Sequence, residues 1–481
     1  MERVPSSAVE RRIHIENTWW ETGRIIPEYA VYKERAYLQP FFELVSSRAP
    51  VRAPVLMGPR RVGKTVLIHQ VIQKLIDEGT DPERICYLSI DHPLYNNLSL
   101  EDLVHRFTRA AGRASLDGTF VFFDEIQYLK GWEVHLKSLV DSHRNVKFVA
   151  SGSAAAALRL KSIESGAGRF TDFMLPPLTF FEYLELTDQS SLVETPDDPR
   201  LLPHSPDIEA LNAAFLEYIN AGGYPEIVSN PEIKSDLGRY IKSDIIDKVL
   251  LRDLPGLYGI SDIQELNALF TSLAYNSGQE LSLDQVSKSA GVSKTTIKRY
   301  IEYLEAAFLI KVLHRVDAAG KRFQRARTFK VYLTNPSLRA ALFSPVGDGD
   351  PQIGAVCETA VFAQFFHFPQ FRMFYGRWKG GREVDFIRLD AAQVPILALE
   401  AKWSDRYFAR PTELQGLIEF GVRNGLDRVY CTTKTERGTR VFENLTVMFY
   451  PASIYCYGLG RLQAETRGMP DLGIENEADR P

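Results

Sequence analysis

Cysteine is scarce, and its placement excludes two common chemistries. Cys86, Cys357, Cys431 and Cys456 stand far apart with no C-x-x-C pair, so neither a zinc site nor a disulfide framework is indicated. Long apolar runs are lacking too: none approaches the roughly 20 residues of a membrane helix, and no membrane partner is expected. Near the start, Glu2, Arg3, Glu10, Arg11, Arg12 and Glu16 break up any apolar stretch before it could serve as a secretory signal. A reducing cytoplasm is the expected location. Positive charge is not in excess either, with 57 basic against 61 acidic residues, a formal charge of -4 and a pI near 6.2. That balance argues against coating nucleic acid through bulk charge and leaves room only for local basic patches.

What is present is a chain able to bury several cores. Its 481 residues are 45% hydrophobic and 25% charged, and at roughly 150 residues per domain this suggests about three folded units. Residues 1–40, with Trp19, Trp20 and the stretch Tyr29 to Tyr37, read as a packed lead-in without an evident function. From Val55 onward apolar strands alternate with amphipathic helices: strands at 55–57, 85–90, 120–123 and 146–150, helices from Thr65 and over 100–111. Such alternation predicts an α/β fold, a parallel sheet with helices on both faces. The core is expected over 41–185 and a Pro-rich linker with a helical lid over 186–260. A helix-turn-helix is expected over 261–335, a further α/β domain over 350–460, and a disordered tail over 461–481.

Gly58-Pro59-Arg60-Arg61-Val62-Gly63-Lys64-Thr65 matches G-x-x-x-x-G-K-[ST] at every fixed position, between a strand and a helix. This is the P-loop pattern. Its glycines let successive N–H groups face phosphate oxygens at a helix N-terminus. Lys64 is expected to reach the β- and γ-phosphates of ATP and Thr65 to ligate Mg²⁺. Phe120-Val121-Phe122-Phe123 then runs into Asp124 and Glu125. Asp124 is read as holding the Mg²⁺ shell and Glu125 as polarising the attacking water. At the next strand end, Ser151-Gly152-Ser153 offers a hydroxyl to the γ-phosphate or the water, or simply caps the strand. Arg169 is either an arginine finger, within the subunit or across an interface, or an exposed structural arginine.

The run Asp124-Glu125-Ile126-Gln127, Gly131-Trp132-Glu133, Ser151-Gly152-Ser153, Gly168-Arg169-Phe170 and Leu178-Thr179-Phe180-Phe181-Glu182-Tyr183 resembles prokaryotic AAA-type ATPases that carry an uncharacterised C-terminal domain. The resemblance extends over most of the chain after about residue 40. It implies an additional sheet-centred α/β order and a ring or other homo-oligomer.

Two further patterns follow. Residues 283–293 and 294–300 have the order helix, glycine turn, helix; Ser293 caps the second helix, and Lys294, Thr295, Lys298 and Arg299 fall on its exposed face. Strands at 309–316 and 329–333 flank Lys321-Arg322-Phe323-Gln324-Arg325-Ala326-Arg327, a basic wing suited to phosphates. The whole reads as a winged helix that contacts DNA or braces domains or subunits.

Nearer the C-terminus, Glu383-Val384-Asp385 on one strand and Glu400-Ala401-Lys402 on the next follow a helix bearing Glu358. This arrangement resembles the PD-(D/E)xK restriction-endonuclease-like core, although Val384 stands where the proline is usual. The resemblance implies that Asp385, Glu400 and Glu358 ligate a second Mg²⁺ or a Mn²⁺, and that Lys402 steadies the nucleophile or the transition state. A degenerate nucleic-acid-binding surface and a solvated ion pair are the competing readings. The expected function is a Mg²⁺-dependent ATPase acting on DNA, or a regulatory ATPase whose C-terminal modules bind partners or hold an oligomer together.

Overall fold

The strand Ala53–Met57 (β1) and the strand Phe120–Asp124 (β3) are buried at every position, as expected of strands covered on both faces. With Ile85–Ser89 (β2), Lys147–Gly152 (β4) and Phe170–Met174 (β5) they form a parallel sheet in the order β2-β3-β4-β1-β5. The strand β5 was not foreseen. Lys64–Asp77 is a helix because Leu67, Ile68, Val71, Ile72 and Leu75 recur on one face, and all five are buried. The helix Leu100–Ala110 starts at a capping box between Ser99 and Asp102.

These elements come from a computed structural model describing residues 6–152, 168–198, 201–230, 232–233, 236–322, 328–368 and 371–466. Ser153, most of the expected wing (323–327) and the tail from 467 lie outside the described residues. Residues 461–466, expected in the tail, instead end the helix Ala452–Thr466.

Contacts divide the chain into two compact units, Met1–Pro176 and Pro177–Pro481. The lead-in belongs to the first, and its role is to finish the sheet. Among the described residues, the edge strand β2 pairs with β3 on one side only. On its other side the Asn17 amide mimics a strand, accepting from Tyr87 N at 2.6 Å and donating to Tyr87 O at 2.9 Å. The Trp19 and Trp20 indoles both donate to Ile85 O, at 3.1 and 2.8 Å. Backbone groups of an open edge are thereby satisfied.

In the second unit, nine strands among the described residues form one mixed sheet. They are Glu280–Ser282 (β6), Ile310–Val316 (β7), Thr328–Leu333 (β8), Arg372–Trp378 (β9), Arg382–Leu389 (β10), Pro395–Glu400 (β11), Arg428–Thr433 (β12), Gly438–Phe442 (β13) and Leu445–Pro451 (β14), in the order β13-β14-β12-β11-β10-β9-β7-β8-β6. The segments expected as separate domains, 261–335 and 350–460, share this sheet through the parallel pair β7–β9. The helix-turn-helix segment comprises Leu283–Ala290, a left-handed Gly291 and Lys294–Ala306; Ser293 Oγ accepts from Thr296 N at 3.2 Å. The helices expected as a lid, Ile208–Ala221 and those after Pro225, belong to the same unit.

Candidate functional site

The P-loop leaves β1 at Gly58 and enters its helix at Lys64. A Cβ at Gly58 would sit 2.2 Å from Leu175 O, so only glycine lets the loop pass the backbone that leaves β5. Arg61 and Gly63 take left-handed φ values of 65° and 91°, turning the intervening N–H groups as a phosphate cradle requires. Buried Lys64 donates to Gly58 O at 3.1 Å and Pro59 O at 2.8 Å. Arg60 reaches Tyr128 OH at 3.3 Å.

Asp124 is the hub. It accepts from Thr65 Oγ1 at 2.8 Å, from Tyr87 OH at 2.7 Å, from Ser151 Oγ, and from Glu125 N at 3.1 Å. Lys64, Thr65, Asp124, Glu125 and Ser151, picked from the sequence, are therefore brought together. Glu125 has a left-handed φ of 54°, sparsely populated for a residue with a side chain. Its carboxylate accepts from Gln127. Burial, helped by the Asp124 charge and opposed by Lys64, raises the Glu125 pKa above the usual carboxylate range, in the direction a general base needs.

Mg²⁺ takes oxygen donors and keeps several waters and phosphate oxygens. Thr65 and Asp124, already within hydrogen-bond distance of each other, fit that requirement.

Two neighbours of the loop were missed in the sequence. Tyr87 is one residue of an apolar strand. Arg35 comes from the lead-in, is buried, and donates to Val62 O at 3.0 Å and Pro176 O at 2.8 Å, pinning the loop from below. Arg169 lies elsewhere. It precedes Phe170, which pairs with Ala53 at the far end of β1 from Gly58, and it is ion-paired to Asp141. The finger reading within the subunit is thus corrected by strand register.

A second charged cluster lies in the other unit. A register shift between Val384 and Ile387 puts a bulge in β10 at Asp385, and bulges re-aim side chains. Asp385 accepts from Ala401 N at 3.0 Å and pairs with Lys402 Nζ at 3.3 Å; Lys402 also meets Glu400 Oε1 at 2.8 Å. Glu358, on the helix Ile353–Phe365, and Glu383 complete the acids. Burial and the Asp385 charge raise the Glu358 and Glu400 pKa values to about 7. Asp385 itself is held low: burial opposes its charge, but Lys402 and Lys330 outweigh it. Sequence reasoning missed Lys330, a lysine inside an apolar strand.

Glu358, Asp385, Glu400 and Lys402 are therefore neighbours as expected, but the expected metal set needs correction. Carboxylates suit Mg²⁺ or Mn²⁺ in donor chemistry. Among the described residues, however, no three or more acid, His or Cys groups are disposed to hold an ion. Two ammonium groups already answer these acids.

The exposed face of the second helix-turn-helix helix carries Lys294, Thr295, Lys298 and Arg299, of which Lys294 pairs with Asp284 and Lys298 lies 4.0 Å from Glu302. All four cysteines are free and buried. Among the described residues no helix is long and apolar enough to cross a membrane.

Comparison with known proteins places these observations. Residues 51–184 match the model of an AAA domain, and residues 212–348 that of a domain of unknown function (DUF8612). The chain is 25% identical to an uncharacterised protein of Haemophilus influenzae, over 77% of this chain and 85% of that one. It is 24% identical to the uncharacterised protein MJ1637 of Methanocaldococcus jannaschii, over 69% and 72%. Among solved structures it is similar to the Aeropyrum pernix ORC1 protein in complex with DNA (14% identity, 67% of this chain and 95% of that chain, TM-score 0.33). A Thermotoga maritima RuvB mutant is also similar (22% identity, 57% and 86%, TM-score 0.28). Scores of that size decide nothing about the partners of this chain. The AAA match and the loop geometry agree: residues 51–184 are similar to an AAA domain and carry a P-loop whose Thr65 meets Asp124.

Proposed function

We propose that the protein is a Mg²⁺-dependent ATPase that hydrolyses ATP at the P-loop and acts on DNA through its second unit. One observation carries the reading: Asp124 accepts hydrogen bonds from both Thr65 and Ser151, with Glu125 the next residue along. Lys64 moves from the Gly58 and Pro59 carbonyls to the phosphates when they arrive, exchanging two neutral acceptors for charged ones. Asp124 and Thr65 would hold Mg²⁺, which when bound would supply charge neutralisation at the phosphates. Glu125, oriented by Gln127, takes the proton of the attacking water, and Ser151 steadies Asp124.

In the second unit, the helix-turn-helix offers Thr295 and Arg299 to a phosphate backbone, and Asp385, Glu400 and Lys402 form a restriction-endonuclease-like cluster. A second reading, favoured by the internal pairing of that cluster, is a regulatory ATPase whose second unit binds partners without cutting nucleic acid. Homo-oligomer formation belongs to both readings.

The test is ATP turnover and cleavage of linear, circular and single-stranded DNA, with Mg²⁺ or Mn²⁺, for wild type, Lys64→Ala and Lys402→Ala. Loss of turnover in Lys64→Ala, and of cutting in Lys402→Ala, supports the first reading. Turnover without cutting of any substrate leaves the second, and no turnover by wild type with any of these DNAs rejects both.

A further inference from the structure

The second charged cluster contains a cation of its own. Lys330 projects from β8 with only 3% of its side chain exposed. Its Nζ lies 2.6 Å from Glu383 Oε1, 3.2 Å from Glu358 Oε1 and 3.4 Å from Asp385 Oδ1. Carboxylates from two elements, the helix Ile353–Phe365 and β10, thus converge on one ammonium delivered by a third. Tyr332, two residues on and so on the same face of β8, donates to Glu358 Oε1 and fixes that carboxylate toward the lysine.

A buried ammonium is costly unless paired, and buried acids are costly unless a cation answers them. Here each requirement meets the other. Across the cluster, four carboxylates (Glu358, Glu383, Asp385, Glu400) face two lysines (Lys330, Lys402), leaving an excess of two negative charges if all are ionised. The two lysines are not equivalent. Lys402 lies at the Glu400 side of Asp385, whereas Lys330 sits on its other oxygen, between Asp385 and Glu358.

We infer that Lys330 is a tethered cation standing where a divalent ion would bind, so that Lys330 decides whether Mg²⁺ or Mn²⁺ is held by Asp385 and Glu358. The inference rests on the nuclease-like reading of this cluster. An ion entering beside Asp385 meets the Lys330 ammonium at contact distance and must displace it or accept its repulsion. Removing the charge while keeping a side chain of similar length opens the position. A lysine that only fastened β8 to its neighbours would affect stability without changing metal affinity.

The experiment is Mn²⁺ binding to the nucleotide-free full-length chain, read from the electron paramagnetic resonance signal of free Mn²⁺. It compares wild type, Lys330→Gln, Lys330→Arg, Asp385→Asn and the double variant Lys330→Gln/Asp385→Asn. Lys330→Gln is expected to bind one Mn²⁺ at least about tenfold tighter than wild type. The double variant loses that gain, and Lys330→Arg binds as wild type does. Equal or weaker binding by a folded Lys330→Gln overturns the inference. Should Lys330→Gln fail to fold, wild type and Asp385→Asn decide: equal Mn²⁺ binding agrees with a position closed by Lys330, and a tight wild-type site lost in Asp385→Asn overturns it. DNA cleavage separates the two ideas. A Mn²⁺ site gained in Lys330→Gln with no variant cutting DNA removes the nuclease reading and leaves the role of Lys330. Cutting by a wild type that already holds Mn²⁺ at Asp385 does the reverse.

Discussion

The P-loop and the Lys330 cluster both bury a lysine close to acids, and they resolve that burial in opposite ways. At the loop, Asp124 is met by the hydroxyls of Thr65, Tyr87 and Ser151, and Lys64 donates to two backbone carbonyls. In the cluster, ammonium groups meet carboxylates directly. Hydroxyl donors satisfy Asp124 without cancelling its charge, so it retains an attraction for a metal ion. Ion pairs cancel part of the charge, so the cluster carries two cations of its own beside its four acids. A charged site built for a ligand is therefore better recognised by what its ionised groups are bonded to than by how many of them there are.

Four perturbations break or sharpen this contrast. The largest effect is expected from Glu125→Gln, which removes the base and spares the loop: ATP turnover falls about 10²- to 10⁴-fold, while nucleotide affinity stays near wild type. Phosphate release and a nucleotide titration measure the two, and parallel losses would make Glu125 a prop for the loop instead. Next is Gly58→Ala. Its methyl group meets Leu175 O at 2.2 Å, and such overpacking costs about 1–3 kcal/mol. Thermal unfolding is expected to show a destabilised chain that ATP no longer stabilises.

A similar loss of stability with a milder effect on ATP binding is expected from Arg35→Met, which keeps the packing and strips two buried carbonyls of their donor. The cost is about 1–3 kcal/mol, accompanied by weaker ATP binding and no change in the Mn²⁺ response of the second unit.

The fourth perturbation is a change of pH, which acts on the second unit. Glu358 and Glu400 have folded pKa values of about 7 against 4.5 for the free group. Between those values the folded state binds more protons than the unfolded one, so stability falls as pH rises from about 5 to about 7. Urea unfolding at several pH values should show that slope, and Glu400→Gln should flatten it. A slope unchanged by the substitution would mean that Glu400 does not carry it.

Much of the first unit was legible in the chain. Phe120 to Phe123 could only be a buried strand, and the spacing of Gly58, Gly63, Lys64 and Thr65 specified a loop entering a helix. The two helices around Gly291 were equally readable, because a glycine turn and the Ser293 cap are local signals. The strand Phe170–Met174 was not: only Met174 and the two phenylalanines are strongly apolar, and Asp172 interrupts the run. Glu358, Asp385, Glu400 and Lys402 were correctly grouped, yet the grouping alone suggested a metal and hid the lysine that answers them.

By itself the sequence determined the elements whose causes lie within a few residues: strand burial, helix periodicity, caps, and the glycines of the phosphate loop. Only the tertiary structure decided which distant partners complete each site. Asn17 finishes an edge strand 70 positions later, Lys330 meets Asp385 across 55 positions, and Arg35 reaches Pro176 across 141. No local pattern encodes such pairings, because they follow from strand order, register and one bulge in β10. Charge and burial then decide the chemistry once those neighbours are in place.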